Sequence, residues 1–149
     1  MSDNWLQYVP LDPEFRPTEL AAETALALFS RLVPNADEVV FSFKQEIEFF
    51  HPGANWEGVI CPVCGTNVEP WWANRMDDFA AGRLSDLVVV TACCQSSVSL
   101  NDLGYVWPAA FGRFVLEAMN PNTRGLSVAQ ESQVEDALGC KLRAIWVHI

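Results

Sequence analysis

Basic charge is scarce in this sequence. Two lysines and seven arginines face 19 acidic residues, for a formal net charge of -10. Phosphate backbones are gripped by clustered Lys and Arg, and the chain contains no such cluster. Nucleic acid is therefore not an expected partner, and neither is an anionic membrane surface. A basic protein suits the surplus of carboxylates better. Long apolar runs are missing too. The most apolar stretch, Leu87 to Cys94, is too short to span a bilayer. Met1-Ser2-Asp3-Asn4-Trp5 has neither a basic nor an apolar leader segment, so no signal peptide is expected. No G-x-S-x-G, P-loop, G-x-G-x-x-G or H-E-x-x-H motif occurs. The chain shows no low-complexity tract, no evident internal repeat and no long linker.

What is present describes a globular protein. Half of the 149 residues are apolar and 19% are charged, which suits one packed domain. Six tryptophans and nine phenylalanines supply the core, each able to remove roughly 150–250 Å² from water. The expectation is a single α+β domain over 1–149, with a mixed or antiparallel sheet, about four helices and a zinc-knuckle region over about 58–98.

Local patterns assign the elements. Pro10, Pro13 and Pro17 suggest an extended arm over Tyr8–Pro17. Thr18 caps a helix to about Leu32, with Ala21, Ala25, Leu28, Phe29 and Leu32 at helical spacing. Val39, Phe41, Phe43, Gln45, Ile47 and Phe49 alternate with polar residues, which predicts a half-buried strand over Val39–Phe50. On its polar face Glu46 and Glu48 read as solvated residues and not as a catalytic pair. Pro70 opens a second helix that Gly82 closes, and Val88, Val89 and Val90 predict a buried strand over Asp86–Ala92. A short strand follows over Ser96–Leu100. Phe111, Phe114, Val115, Ala118 and Met119 predict a third helix after Pro108. Ser127 and Gln130 form a capping box for a fourth, which Gly139 ends. Lys141–Ile149 is the last strand.

One constellation carries chemistry. In Cys61-Pro62-Val63-Cys64-Gly65, two cysteines separated by two residues can wrap a turn so that both sulfurs reach one cation. Tetrahedral zinc takes four ligands, and Cys93 and Cys94 are the obvious further donors. Two departures from the common pattern stand out. The spacer of 28 residues exceeds the ~15–20 usual between such pairs, and the second pair is adjacent. Neighbouring side chains on a strand point to opposite faces, so both sulfurs can share one ion only if the backbone turns there. The alternatives are three cysteines with His51, or thiols with no metal. A redox reading of the C-P-x-C turn would need the second cysteine to open a helix, and Gly65-Thr66-Asn67-Val68 is poor helix-starting sequence. Five cysteines, two of them adjacent, make a poor disulfide framework, which places the chain in the reducing cytoplasm. Cys140 reads as a buried thiol and His148 as a hydrogen-bonded sheet residue. Trp72 falls on a helix stripe, and Asp77 and Asp78 point apart around a helix.

The five-residue run at Cys61 resembles the knuckle of zinc ribbons and rubredoxin-like sites. Together with Cys93-Cys94, the stretch through Ser99 to Pro108 and the ending Leu138 to His148, it resembles uncharacterised small bacterial proteins that pair such a knuckle with a later Cys-Cys. That resemblance implies a metal site and a bacterial source, and brings no activity with it. Two functions are left. One is a non-catalytic, acidic, zinc-stabilised interaction module of the immunity or adaptor kind, with structural Zn2+ on Cys61, Cys64, Cys93 and Cys94. The other is a small zinc-dependent enzyme whose metal keeps an open position.

Overall fold

A computed structural model describes residues 2–149. In chain order its first elements are β1 (Asn4–Pro10), α1 (Glu19–Leu32), β2 (Glu38–Phe50), β3 (Val59–Ile60) and α2 (Glu69–Ala80). There follow β4 (Val88–Val90), β5 (Ser97–Ser99), β6 (Gly104–Tyr105), β7 (Ala110–Met119), α3 (Val128–Leu138) and β8 (Leu142–His148). The chain divides into two compact units. One comprises the chain up to Asn55 together with Pro108–Ile149, and the other is Trp56–Trp107.

The first unit is built on local signals that the sequence states clearly. Thr18 accepts a hydrogen bond from the Ala21 amide and starts α1. Ser127 and Gln130 close a reciprocal capping box at the start of α3, and Gly139 ends that helix in the left-handed region at φ 83°. The four strands run antiparallel in the order β2-β7-β1-β8. With the connectivity β1-α1-β2-β7-α3-β8, this is the split β-α-β, or ferredoxin-like, arrangement. Both helices lie on one face. Ala22, Ala25 and Phe29 of α1 and Val134 and Leu138 of α3 pack with Leu6, Tyr8, Phe114, Leu116 and Ala118 of the sheet. Val9, Phe50, Ala110, Val115, Ile145 and Val147 form a second buried cluster.

The structure corrects three expectations. Pro108–Met119 is not a helix but β7, an inner strand paired with both β1 and β2. The described residues therefore contain three α-helices, not four, with a single 3-10 turn at Leu100–Asp102. The supposed arm at Tyr8 begins inside β1, also an inner strand, and only the residues after Pro10 leave the sheet. The valine run is shorter and less buried than expected. Val89 is 9% exposed, whereas Val88 and Val90 are 56% and 54% exposed, because β4 pairs only with β5. The α+β class, the antiparallel sheet, β2 and β8 stand as expected, with one irregularity in β2 between Phe43 and Glu48. No helix among the described residues is long and apolar enough to cross a membrane.

The second unit falls between β2 and β7 and takes in residues 58–98. Its sheets are two-stranded, β3 with β6 and β4 with β5. Trp56 stacks on Trp72 of α2 at 4.8 Å, and the Trp72 indole donates to the Tyr105 hydroxyl at 3.2 Å. Trp72 thus belongs to this packing, while no residue of α2 is fully buried. Asp78 pairs with Arg75 and Arg83.

Candidate metal centre

Two hairpins of the second unit carry the cysteines. In the first, Ile60 bridges Asn67 and the Val68 amide donates to the Val59 carbonyl. The turn between them closes with Cys61 N–H to Thr66 O at 2.8 Å and Gly65 N–H to Cys61 O at 2.9 Å. Gly65 leaves the turn at φ 76°, a conformation that glycine adopts without strain. In the second hairpin Val90 faces Ser97 and Val89 faces Val98. Its turn closes the same way, with Thr91 N–H to Ser96 O at 2.9 Å and Gln95 N–H to Thr91 O at 3.1 Å. Gln95 takes the seat of Gly65 at φ 56°, unusual for a residue with a side chain.

The backbone therefore turns at residues 92–94, which resolves the adjacency problem. The Sγ atoms of Cys61, Cys64, Cys93 and Cys94 all lie within 4.8 Å of one another. Cys61 meets Cys94 at 3.8 Å, Cys64 meets Cys93 at 3.4 Å, and Cys93 meets Cys94 at 3.9 Å. Such a cluster could hold a metal ion. Cys61 is buried, Cys94 half-buried, and Cys64 and Cys93 are exposed.

Hydroxyls surround the sulfurs. Thr66 lies 3.3 Å from Cys64, and Ser96 and Thr91 lie 3.1 and 3.4 Å from Cys94. The Val63 amide donates to Cys61 Sγ at 3.4 Å. Hydrogen bonds that favour a thiolate lower its pKa. Ser96, then Thr91, bring Cys94 down to about 6, and Thr66 lowers Cys64. Cys93 is pushed up to about 12, by desolvation first and then by Cys64 and Cys61 beside it. A bound cation would displace the thiol protons, because thiolates are the ligating form.

His51 does not belong to the cluster and lies in the other unit, where its Nδ1 accepts from the Gly53 amide at 3.1 Å. Cys64 does not open a helix. It runs into the return of its hairpin, and α2 begins only at Glu69. Cys140 also stands apart from the cluster, half-buried, with its thiol pushed up to about 11 by burial and then by Glu135 and Asp12. His148 hydrogen-bonds Asn4 Oδ1 at 2.8 Å, as a sheet residue should. Glu46 and Glu48 are exposed, and Glu48 pairs with Lys44 at 3.7 Å.

Sequence reasoning missed Thr91 and the repeat that contains it. Val59-Ile60-Cys61-Pro62-Val63-Cys64-Gly65-Thr66-Asn67-Val68 and Val89-Val90-Thr91-Ala92-Cys93-Cys94-Gln95-Ser96-Ser97-Val98 form matching hairpins at a constant offset of 30. The flanking valines, Cys64 with Cys94, and Thr66 with Ser96 were the available signals. No family model, no curated protein and no solved structure matches the chain, so these comparisons attach no known family to the cysteine pattern.

Proposed function

We propose that the chain is a non-catalytic, acidic interaction module of the immunity or adaptor kind. One structural zinc on Cys61, Cys64, Cys93 and Cys94 braces it, and it binds a basic protein in the cytoplasm. The observation that carries this reading is the sulfur geometry. Zn–S bonds of ~2.3 Å in a tetrahedron place sulfurs roughly 3.8 Å apart. Three of the sulfur pairs lie at 3.4, 3.8 and 3.9 Å, and all four sulfurs lie within 4.8 Å of one another. Two zinc-ribbon-like hairpins facing one ion account for both cysteine pairs. Four thiolates fill the zinc coordination sphere, which favours structure over catalysis.

The net charge of -10 supports the basic partner, since net charge steers association and is screened by salt. The test is affinity capture from lysate with the zinc-loaded chain, followed by association rates across ionic strength. A net-basic partner whose association rate falls as salt rises toward ~0.15 M supports the proposal. Acidic partners only, or a rate indifferent to salt, would count against it. So would zinc-dependent turnover of a small molecule. Micromolar binding of DNA or RNA at physiological salt would overturn the exclusion of nucleic acid.

A further inference from the structure

The two turns close with the same pair of backbone hydrogen bonds, and they differ where it matters most. The first hairpin supplies its two sulfurs from the first and fourth turn positions, Cys61 and Cys64. The second has Cys94 in the fourth position, but the first is Thr91. Thr91 is fully buried, and its hydroxyl accepts from the Ser96 amide at 3.0 Å, so it is tied into its own turn. The fourth sulfur comes instead from Cys93, the third turn position. Its counterpart in the first hairpin is Val63, which is 63% exposed.

We propose that Cys93 is the exchangeable ligand of the metal centre, replacing a ligand from the seat Thr91 occupies, and that a small exogenous thiol can take its place. The inference rests on the four-thiolate zinc reading. Cys61 is 1% exposed and its sulfur accepts from the Val63 amide at 3.4 Å, so it is the ligand least open to exchange. Cys64 is exposed, yet it occupies the regular fourth seat beside Gly65 and Thr66. Cys93 alone combines exposure with an irregular seat. If Cys93 left, three thiolates would still hold the ion from regular positions, and the incoming thiol would bind as its thiolate while its proton passes to the exposed Cys93 sulfur. A soft sulfur donor matches the remaining ligand set in chemistry.

Cobalt(II) substitution reads the thiolate count through sulfur-to-metal charge-transfer absorption. Cys93→Ala should still bind cobalt, with weaker charge transfer, and 2-mercaptoethanol should restore the lost intensity. Cys61→Ala should gain nothing from the thiol. Adding Thr91→Cys to Cys93→Ala should tighten zinc binding by about tenfold or more by chelator competition, because a regular fourth seat is rebuilt. If that double variant folds by circular dichroism but binds no tighter than Cys93→Ala, and the thiol restores nothing, the proposal is overturned while the zinc reading stands. Wild-type protein that takes up neither cobalt nor zinc removes both. Should the variants fail to fold, iodoacetamide on zinc-loaded wild-type protein decides by peptide mapping. The reagent forms an S–C bond as iodide leaves. Cys93 labelled ahead of Cys64 supports exchange, and Cys64 or Cys61 labelled first refutes it.

Discussion

Chelating the metal should open the Trp56–Trp107 unit and spare the four-stranded sheet. The reason lies in what each unit buries. In the cysteine-bearing unit the buried aliphatic side chains are Val59, Val68, Val89, Val98, Leu100 and Leu103. At ~1.5–3 kcal/mol each, their burial contributes on the order of 9–18 kcal/mol. Zinc on a structural thiolate site contributes about 10–16 kcal/mol at neutral pH. The metal is thus comparable to the whole aliphatic burial of its unit, and no residue of α2 is fully buried to compensate. The other unit keeps its own clusters around Phe29, Phe114 and Leu116, and around Val9 and Ile145. Hydrogen exchange with mass-spectrometric readout tests the contrast. After a strong chelator acts on reduced protein, peptides holding the Cys61, Gly65, Thr91 and Gln95 amides should lose protection, and peptides of β1, β7 and β8 should keep theirs. Equal protection of both hairpins with and without metal would refute the reasoning, and so would loss spread evenly over the chain.

Three substitutions and one control test the other unit. Phe114 is fully buried, 5.1 Å from the Phe43 ring and 6.1 Å from Phe41. Phe114→Ala should cost about 3–5 kcal/mol in urea unfolding, and a loss under ~1 kcal/mol would mean this core is misplaced. Tyr8 donates to Glu131 Oε2 at 2.9 Å, so Tyr8→Phe should cost about 1.5–3 kcal/mol near neutral pH. Burial, and then Glu131, raise the Tyr8 pKa above its ordinary value of 10.0. The folded form therefore holds the phenol proton more tightly, and its contribution is intact below pH ~10 and lost as pH rises beyond it. The Tyr8→Phe variant should fall less steeply there than wild type, and parallel curves would remove this account of Tyr8. Ser127→Ala breaks the capping box at α3 and should cost about 1 kcal/mol by thermal unfolding, whereas Val128→Ala, at an 81% exposed position, should cost little.

Elements whose signals are local were legible in the sequence. Thr18, the Ser127 capping box, Gly139 and the alternation of β2 each fix their surroundings without distant help. The strand β7 was not legible, because its stability is non-local. Phe111, Phe114, Val115 and Ala118 fall at helical spacing, and Ala, Leu, Glu and Met favour helices. Both faces of β7 are packed, with Phe114, Leu116 and Ala118 in one buried cluster and Ala110 and Val115 in the other, which erases the period of two. Gly112 was the discordant residue. A Cβ there would stand 2.6 Å from Val9 Cγ1, a close approach that a helix reading leaves unexplained. The prolines after β1 likewise drew attention away from Leu6 and Tyr8, which are fully or almost fully buried. At the candidate metal centre the four cysteines were legible from residue type and from the spacing of Cys61 and Cys64. The role of Thr91 was not, since the valines, Cys94 and Ser96 repeat at the offset of 30 but a threonine replaces the cysteine, and the turn hydrogen bonds are what set Thr91 in the seat of Cys61.

The central claim is one zinc held by four sulfurs, and X-ray absorption at the zinc edge on freshly purified, reduced protein tests it most directly. Combined with elemental analysis, it should find about one zinc per chain with about four sulfur neighbours at ~2.3 Å. Protein that carries no zinc after zinc-replete expression, or zinc bound mainly through nitrogen and oxygen, would contradict the account.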